Sequence, residues 1–296
     1  MVRVVVIGCH GRLGAAISRQ VSGKFEVFGV GRQPDTWLPN GRFFYYRQDA
    51  SDRKALLQLL KRLRPHWVIN TTGFSDVDGC EDARGLAHQI NVQLLQNIIL
   101  ATKRVGASLM HISSDQIFDG TKIGFYTEQD RPNPLNFYGR TQWIAENIIR
   151  ASGMNWSIIR TSTLCTRNSD AGPTNLVGWL EERFSRSQPV EMPTDEFRNP
   201  TCVENLAGNI WKLLRVECNG VYHLAGRSSI SLYDFSRRIA MELGYDPELV
   251  RPRGYRAAVR ARRPKNCALS TIKAETDFNA NLYAIDDTVT SVCEHL

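Results

Sequence analysis

Three glycines follow the first apolar run of the chain at a spacing that suits anion binding. They are Gly8, Gly11 and Gly14, with His10, Arg12 and Leu13 among them and a helical pattern opening at Ala15. Glycines at these positions let the backbone turn tightly and approach a pyrophosphate, while the amides of the helix N-terminus point at the anion. The turn therefore predicts a dinucleotide site rather than a tight turn without a ligand.

Two arginines are expected near the adenosine ribose of such a ligand. The second apolar run ends at Arg32, where a site that prefers NAD usually has an acidic residue for the 2′-hydroxyl. Arg12 on the glycine turn is expected nearby. Guanidinium groups match phosphate oxygens, so NADPH is favoured as cofactor and NADH remains possible. Asp49, which precedes Ala50, either meets the adenine amino group or caps the next helix.

The order of apolar runs predicts the elements that position these residues. Strands are expected at residues 2–7, 26–30, 43–47, 67–70, 108–113 and 156–161, with amphipathic stretches such as 54–63 between them. This alternation indicates right-handed βαβ units and hence an α/β fold, a doubly wound parallel sheet of the Rossmann type.

The later chain has a different pattern. Helices are expected at residues 175–184, 203–216 and 231–243, with a strand at 221–224 and many Pro, Gly, Arg and Asn residues between them. We expect a dinucleotide-binding domain over 1–163 and a smaller C-terminal substrate-binding lobe over 164–296, with 203–225 packing back onto the first domain.

Composition narrows the class of protein. The 296 residues include seven cysteines without CxxC spacing and six histidines without HxxxH or HExxH spacing, so neither a disulfide frame nor a metal site is predicted. The scattered thiols favour a reducing, cytoplasmic compartment. No apolar stretch approaches the roughly 18 residues needed to span a membrane, and the N-terminus reads as a buried strand rather than a signal peptide.

Much of the net charge of +7 comes from one basic segment, 251–265, which is expected to be a loop returning to the cleft. It is either a solvated face or a docking surface for a small polyanion such as a substrate diphosphate. Nucleic acid is not favoured, because no known DNA-reading motif or aromatic-rich basic stripe accompanies the charge.

Several segments in order along nearly the whole chain resemble one family. They are INTTG at 69–73, HISSDQIFDG at 111–120, FYTE at 125–128, PNPLNFYGRT at 132–141, FRNPT at 197–201 and RPKN at 263–266. These segments are similar to those of dTDP-4-dehydrorhamnose reductase and its relatives, which include the regulatory β subunit of methionine adenosyltransferase. The resemblance implies an extended short-chain dehydrogenase/reductase fold and, for most members, reduction of a 4-keto nucleotide sugar by NAD(P)H.

The resemblance also implies roles for particular residues. Ser114 would hydrogen-bond the substrate oxygen, and Tyr138 would be the general acid. The nicotinamide would lie against Thr71, Thr72 and Gly73, beside Ser113. Substrate contacts are expected from Asp115, Gln116, Arg160, Arg198 and Arg263, although Arg198 could instead pair with Glu196.

Asp76 and Asp78 either border the sugar pocket or are loop residues, and Trp37, Trp143, Trp179 and Trp211 are expected to pack.

Two positions depart from the family pattern. The family has a lysine four residues after the tyrosine, whereas this chain has Gln142, which reaches the ribose hydroxyls from the same helix face but carries no charge. Without that cation, which is worth roughly 4 kcal/mol at about 4 Å and an effective dielectric near 20, Tyr138 is expected to titrate near its ordinary pKa of about 10. Arg140 lies on another helix face and is a poor replacement. Gln116 stands where the family often has tyrosine.

Two functions remain open at this point. One is an NADPH-dependent reductase of a keto group on a nucleotide-activated deoxysugar, or of a related metabolite, with Ser114, Tyr138 and Gln142 at the reaction centre. The other is a non-catalytic NADP-binding regulatory subunit, in which Gln142 reflects lost hydride chemistry. A nucleotide diphosphate sugar is the expected substrate in the first case, and a homodimer or a partner enzyme is possible in either.

Overall fold

The computed structural model describes residues 1–21, 23–34, 42–166, 175–254 and 260–294. The prediction for Trp37 and that for residues 255–259 of the basic segment fall outside these ranges. The strands are β1 (Val2–Ile7), β2 (Phe25–Gly31), β3 (Phe43–Arg47), β4 (Trp67–Asn70), β5 (Ser108–Ser114), β6 (Trp156–Thr161), β7 (Leu164–Cys165), β8 (Val190–Pro193), β9 (Phe197–Arg198), β10 (Thr201–Cys202), β11 (Gly220–His223), β12 (Ile230–Ser231) and β13 (Val250–Arg253).

The helices lie between and after these strands. They are α1 (Arg12–Arg19), α2 (Arg53–Leu63), α3 (Val77–Asp82), α4 (Arg84–His88), α5 (Leu94–Arg104), α6 (Phe137–Arg150), α7 (Leu176–Ser185), α8 (Val203–Val216), α9 (Leu232–Glu242), α10 (Ile272–Phe278) and α11 (Ile285–Cys293). A π-helical turn at Gln89–Gln93 joins α4 to α5. Among the helices described, none is long and apolar enough to cross a bilayer.

Seven parallel strands form the central sheet in the order β11-β6-β5-β4-β1-β2-β3. Side chains alternate between its faces, so Val4 and Val6 pack with α1 and α8, whereas Val5 and Ile7 pack with α2, α5 and α6. Both faces are therefore covered by helices, as buried parallel strands require. The predicted α/β doubly wound fold is confirmed.

Parallel strands end at one edge of a sheet, and this edge carries the candidate site. Because the strand order reverses between β1 and β4, the loops after these two strands diverge and leave a crevice. Gly8 follows β1, Thr71 follows β4, Ser114 ends β5 and Thr161 ends β6. The sheet thus brings together residues that lie up to 153 positions apart, from 8 to 161.

A smaller apolar cluster lies beside the sheet and is built from α7, α9, α11, β8 and β13. The predicted loop at 251–265 is partly a strand, because Arg251, Pro252 and Arg253 continue β13 and pair in parallel with β8. Residues 255–259 of that segment lie outside the described ranges. Helix α1 begins at Arg12 rather than at Ala15, so the third glycine lies within its first turn.

Candidate functional site

A cavity of about 470 Å³ opens at the carboxyl edge of the sheet. The predicted residues that line it are Gly11, Arg12, Leu13, Thr71, Thr72, Gly73, Ser113, Ser114, Asp115, Gln116, Tyr138, Gln142, Arg198 and Arg263. The predicted residues that are not part of its lining are Gly8, His10, Gly14, Arg32, Asp49, Ala50 and Arg160. The cavity therefore combines the glycine turn, the two hydroxyl residues of the expected reaction centre and part of the expected substrate set.

The glycine turn is packed against the end of β4 too closely for side chains. Gly8 has a φ of +88°, and a Cβ on Gly14 would lie 2.3 Å from the carbonyl oxygen of Gly8. Thr71 Oγ1 donates to the carbonyl oxygens of Ile7 and Gly8 at 2.9 and 3.1 Å, which fixes the turn. Gly11 caps α1 without a side chain, so the first amides of the helix have no side-chain oxygen in front of them. This is the geometry of an anion site at a helix N-terminus.

The expected adenosine end lies outside the cavity, at the ends of β2 and β3. Arg32 and Asp49 are exposed there and Ala50 is buried. A backbone hydrogen bond from Ser51 lowers the pKa of Asp49, and the charge of Arg32 acts in the same direction. Asp52 caps α2 by accepting from the amide of Ala55, so the alternative in which Asp49 is the helix cap is wrong. His10 contacts the ring of Tyr45 edge-on nearby.

Arg12 does not join Arg32 at this end. Its side chain lines the cavity, where burial lowers its pKa while Cys165 and Tyr138 raise it. This placement differs from the prediction that both arginines flank the adenosine ribose. Only Arg32 is left as the expected partner of a 2′-phosphate, and Arg12 is a cation beside the phenol.

Tyr138 lies in the first turn of α6 and is partly exposed to the cavity. Asn136 caps this helix, with its Oδ1 accepting from the amide of Gly139 at 2.8 Å. Burial of the phenol raises the pKa of Tyr138, and the negative charge of Asp115 raises it further, whereas a hydrogen bond with Ser114 and the charge of Arg12 lower it. The pKa therefore lies above the ordinary value rather than near it, which corrects the expectation from sequence. The phenol is a proton donor at neutral pH.

Gln142 lies one helical turn after Tyr138 and lines the same cavity. Its side chain is buried, at 4% exposure, and its Oε1 has no hydrogen-bond partner among the described residues. An unpaired buried acceptor costs about 1–3 kcal/mol of desolvation. A ligand hydroxyl that donates to this oxygen would remove that cost.

The two serines at the end of β5 have different environments. Ser114 Oγ donates to Asp115 Oδ1 at 3.1 Å, on the cavity side. Ser113 Oγ donates to Glu146 Oε1 at 2.7 Å, so its hydroxyl points under α6 although the residue borders the cavity. Ser113 is thus a link between β5 and α6.

The structure does not bring Arg160 into the cavity, contrary to the predicted substrate contact. It is 1% exposed, and its Nε and Nη2 donate to Glu146 at 2.9 and 2.8 Å. Burial raises the pKa of Glu146, but the hydrogen bonds and charge of Arg160 leave it below its usual value. Arg160 is therefore the buried counter-ion of Glu146, because a guanidinium enclosed beside a carboxylate has no donors directed at the cleft.

Arg198 and Arg263 line the cavity but are also engaged by the protein. Arg198 donates to the carbonyl oxygens of Phe197 and Pro264 at 2.7 Å each and lies 3.5 Å from Glu196, so the pairing alternative applies. Arg263 forms a two-bonded pair with Asp78, at 3.2 and 2.9 Å. Asp78 lies in the first turn of α3, so the alternative in which it is a loop residue is wrong.

Some residues at the site were not predicted from the sequence. Glu146 lies two helical turns after Tyr138, a spacing that places it on the same face of α6, and this spacing could have identified it. Ser162, Thr163 and Leu164 follow β6 and line the cavity, as the ends of parallel strands commonly do.

Comparison with known proteins gives a consistent family. The model of the RmlD substrate binding domain family matches residues 2–296. The "Probable low-salt glycan biosynthesis reductase Agl14" of Haloferax volcanii is 26% identical, over 95% of this chain and 94% of that protein. "Methionine adenosyltransferase 2 subunit beta" of Rattus norvegicus is also 26% identical, over 93% and 82%.

Solved structures agree on the fold. A structure of dTDP-4-dehydrorhamnose reductase from Bacillus anthracis in complex with NADP superposes with a TM-score of 0.86, covering 99% of each chain at 23% sequence identity. The agreement includes both the sheet and the smaller lobe, since nearly the whole of each chain is covered.

Proposed function

Because the chain belongs to the RmlD substrate binding domain family, we propose that it is an NADPH-dependent reductase of a keto group on a nucleotide-activated deoxysugar. The observation that carries the proposal is one cavity lined by Ser114, Tyr138 and the amide end of α1. Relatives named as reductases, and a structural neighbour with bound NADP, support a nicotinamide dinucleotide as the cofactor.

The residues present fit that cofactor at two points. The glycine turn leaves its amides uncovered where a pyrophosphate would bind, and a Cβ at Gly14 would close the turn. The unpaired Oε1 of Gln142 is an acceptor that a ribose hydroxyl would satisfy. Thr71, Thr72 and Gly73 would border the nicotinamide, and Arg32, with Asp49 and Ala50, the adenosine. The reduced nicotinamide, when bound, supplies the hydride.

The reaction needs a proton donor as well. Tyr138 would give its phenolic proton to the substrate oxygen, and its raised pKa keeps that proton in place at neutral pH. Ser114 would hydrogen-bond the same oxygen, and Asp115 and Gln116 would contact the sugar. Arg263 would bind the substrate diphosphate in exchange for its partner Asp78. The Arg263–Asp78 ion pair is half-exposed, and pairs of this kind contribute little stability.

The division into two lobes, 1–163 and 164–296, belongs to the same proposal. The smaller cluster around α7 and α9 would hold the nucleotide sugar over the cavity, while α8 packs on the central sheet and β11 is an edge strand of that sheet.

A reductase assay tests the proposal. We expect NADPH consumption with dTDP-4-dehydrorhamnose or a similar keto-sugar nucleotide, and its loss in Tyr138→Phe. Tyr46→Phe, on the β3 strand away from the cavity, is the matched control and should retain the rate. Cofactor binding without turnover on any keto-sugar nucleotide would defeat the reductase proposal.

One observation favours a second candidate, a cofactor-binding regulatory subunit without turnover. Gln142 carries no charge, and a relative over most of the chain is named a subunit of a methionine adenosyltransferase. This candidate predicts NADPH binding, no turnover and a stable complex with a second protein in pull-down. A wild-type protein that turns over a keto sugar would refute it.

A further inference from the structure

A partly exposed ion pair beside the cavity connects α3 with the later chain. Arg263 lines the cavity, and its Nη1 and Nη2 donate to Asp78 Oδ1 and Oδ2 at 3.2 and 2.9 Å. The side chains of Arg263 and Asp78 are 28% and 45% exposed. Asp78 Oδ1 also accepts from the amide of Ala261 at 3.1 Å. A carboxylate of the protein itself thus occupies the fork of a guanidinium that lines the cavity, in the geometry that a phosphate group would use.

Among the described residues, three cationic side chains line the cavity, those of Arg12, Arg198 and Arg263. Arg198 is 3% exposed and donates to the carbonyl oxygens of Phe197 and Pro264, so its donors are committed to the backbone. Arg12 begins α1 at the glycine turn, where the dinucleotide is expected. The principal partner of Arg263 is instead a partly exposed side chain, so Arg263 is the cation that can turn to a phosphate group of the substrate.

The backbone on both sides of Arg263 is held by contacts outside this ion pair. On one side, Asn136 Nδ2 donates to the carbonyl oxygen of Arg262 at 3.0 Å. On the other side, Arg198 Nη2 donates to the carbonyl oxygen of Pro264 at 2.7 Å. The ion pair can therefore open while the neighbouring backbone stays in place, so it is not needed to hold this segment over the cavity.

The ion pair is weak enough to be exchanged for a ligand. Pairs with this degree of exposure favour the paired state by roughly two- to fivefold. A nucleoside diphosphate carries at least two negative charges, and its phosphate oxygens accept two parallel hydrogen bonds from one guanidinium. It can therefore displace Asp78, but the competition reduces its apparent affinity. The displaced carboxylate also stays near the phosphates, and like charges repel each other.

We propose that Asp78 is an internal competitor for the substrate diphosphate, which binds the guanidinium of Arg263 in the empty cavity and lowers the affinity for a nucleoside diphosphate. The inference rests on the proposed function, because that function places a diphosphate at Arg263. Ligands without a phosphate group do not compete for the guanidinium, so Asp78 leaves their affinity unchanged. The carboxylate on α3 thereby sets how tightly the site holds its substrate.

Isothermal titration calorimetry with thymidine diphosphate measures this competition, in the presence of saturating NADP⁺ so that the glycine turn is occupied. Asp78→Asn removes the charge and keeps an oxygen for the amide of Ala261. We expect the Kd for thymidine diphosphate to fall about three- to tenfold and the Kd for thymidine to stay unchanged. Asp82→Asn is the matched control, because Asp82 lies on the same helix and pairs at 3.0 Å with Arg260, which does not line the cavity. It should change the Kd for thymidine diphosphate by less than about twofold.

A double variant shows whether the gain acts through Arg263. In an Arg263→Gln background, Asp78→Asn should tighten the binding of thymidine diphosphate no more than Asp82→Asn does. Asp78→Ser is a second neutral replacement and serves if Asp78→Asn does not fold.

The outcomes separate this inference from the proposed function. An unchanged or higher Kd in the neutral variants, a gain equal to that of Asp82→Asn, or a gain that persists without Arg263 overturns the inference. Failure of every variant to bind thymidine diphosphate overturns it as well. Tighter binding by Asp78→Asn that depends on Arg263, without turnover of any keto-sugar nucleotide, supports the inference and overturns only the reductase proposal.

Discussion

Restoring a cation at position 142 should change the acid–base behaviour of Tyr138. Gln142 lies one turn after Tyr138 on the same face of α6, so a lysine there would direct its ammonium toward the phenol. A separation of about 4 Å at an effective dielectric near 20 corresponds to roughly 4 kcal/mol, or up to about three pKa units. Burial of the new ammonium offsets part of this. We expect Gln142→Lys to lower the Tyr138 pKa by about one to three units from its raised value.

The assay is the near-ultraviolet absorbance of the phenolate, measured as a difference against the Tyr138→Phe protein in the same background. Gln142→Met, which is uncharged and of similar length, is the control and should leave the midpoint where the wild type has it. Alcohol oxidation should rise in Gln142→Lys, because more phenolate base is present. Equal midpoints in the lysine and methionine variants would refute the electrostatic reasoning, and so would a shift to higher pH.

Three further perturbations have expected outcomes. Gly14→Ala should abolish measurable NADPH binding and lower the unfolding free energy by about 1–3 kcal/mol, because its Cβ would lie 2.3 Å from a carbonyl oxygen. Gly85→Ala, which has open space around it, is the control and should have neither effect. A Gly14→Ala protein that still binds NADPH would contradict the turn geometry. Arg32→Glu should shift the ratio of NADPH to NADH dissociation constants at least tenfold toward NADH, roughly one lost phosphate contact, in a fluorescence titration, and an unchanged ratio would remove Arg32 from the cofactor site. His111 and His223 have their pKa values lowered to about 4 and about 3, the first by burial and the second by burial and then by Arg160. Their neutral native forms stabilise the protein above pH about 6.5. As pH falls from there toward the folded pKa values, the free energy of unfolding should decrease by roughly 1.4 kcal/mol per pH unit for each histidine. A flat stability profile in denaturant titrations between pH 6.5 and 4 would contradict this.

The central sheet was predictable because its signals are local. Each strand is a short apolar run, and the right-handed crossover rule restricts how successive parallel strands can be arranged. The glycine turn was predictable in part for the same reason, since the positive φ of Gly8 and the approach of Gly14 to the Gly8 carbonyl oxygen are local. The contacts of both glycine positions with Thr71, at the end of β4, are not local. Short pieces such as β7 and β9, of two residues each, were not predictable, because so few residues carry no periodicity.

The site was predictable as a set of residues but not as a set of contacts. Arg160 was expected at the substrate, yet its partner Glu146 lies on a helix and faces it only after α6 packs on the sheet. Arg12 was grouped with Arg32 by distance along the glycine turn, whereas the side chain of the first helical residue reaches toward the cavity. Side-chain direction and long-range pairing depend on packing, which no local pattern encodes.

Binding of a nicotinamide dinucleotide to the cavity is the measurement that bears most directly on the site as a whole. Isothermal titration calorimetry of the wild-type protein with NADPH should give saturable binding to one site, with weaker binding of NADH and none for Gly14→Ala. Absence of heat with all four oxidised and reduced dinucleotides at millimolar concentration would contradict the assignment of residues 8–14 as the cofactor turn, and with it both proposed functions.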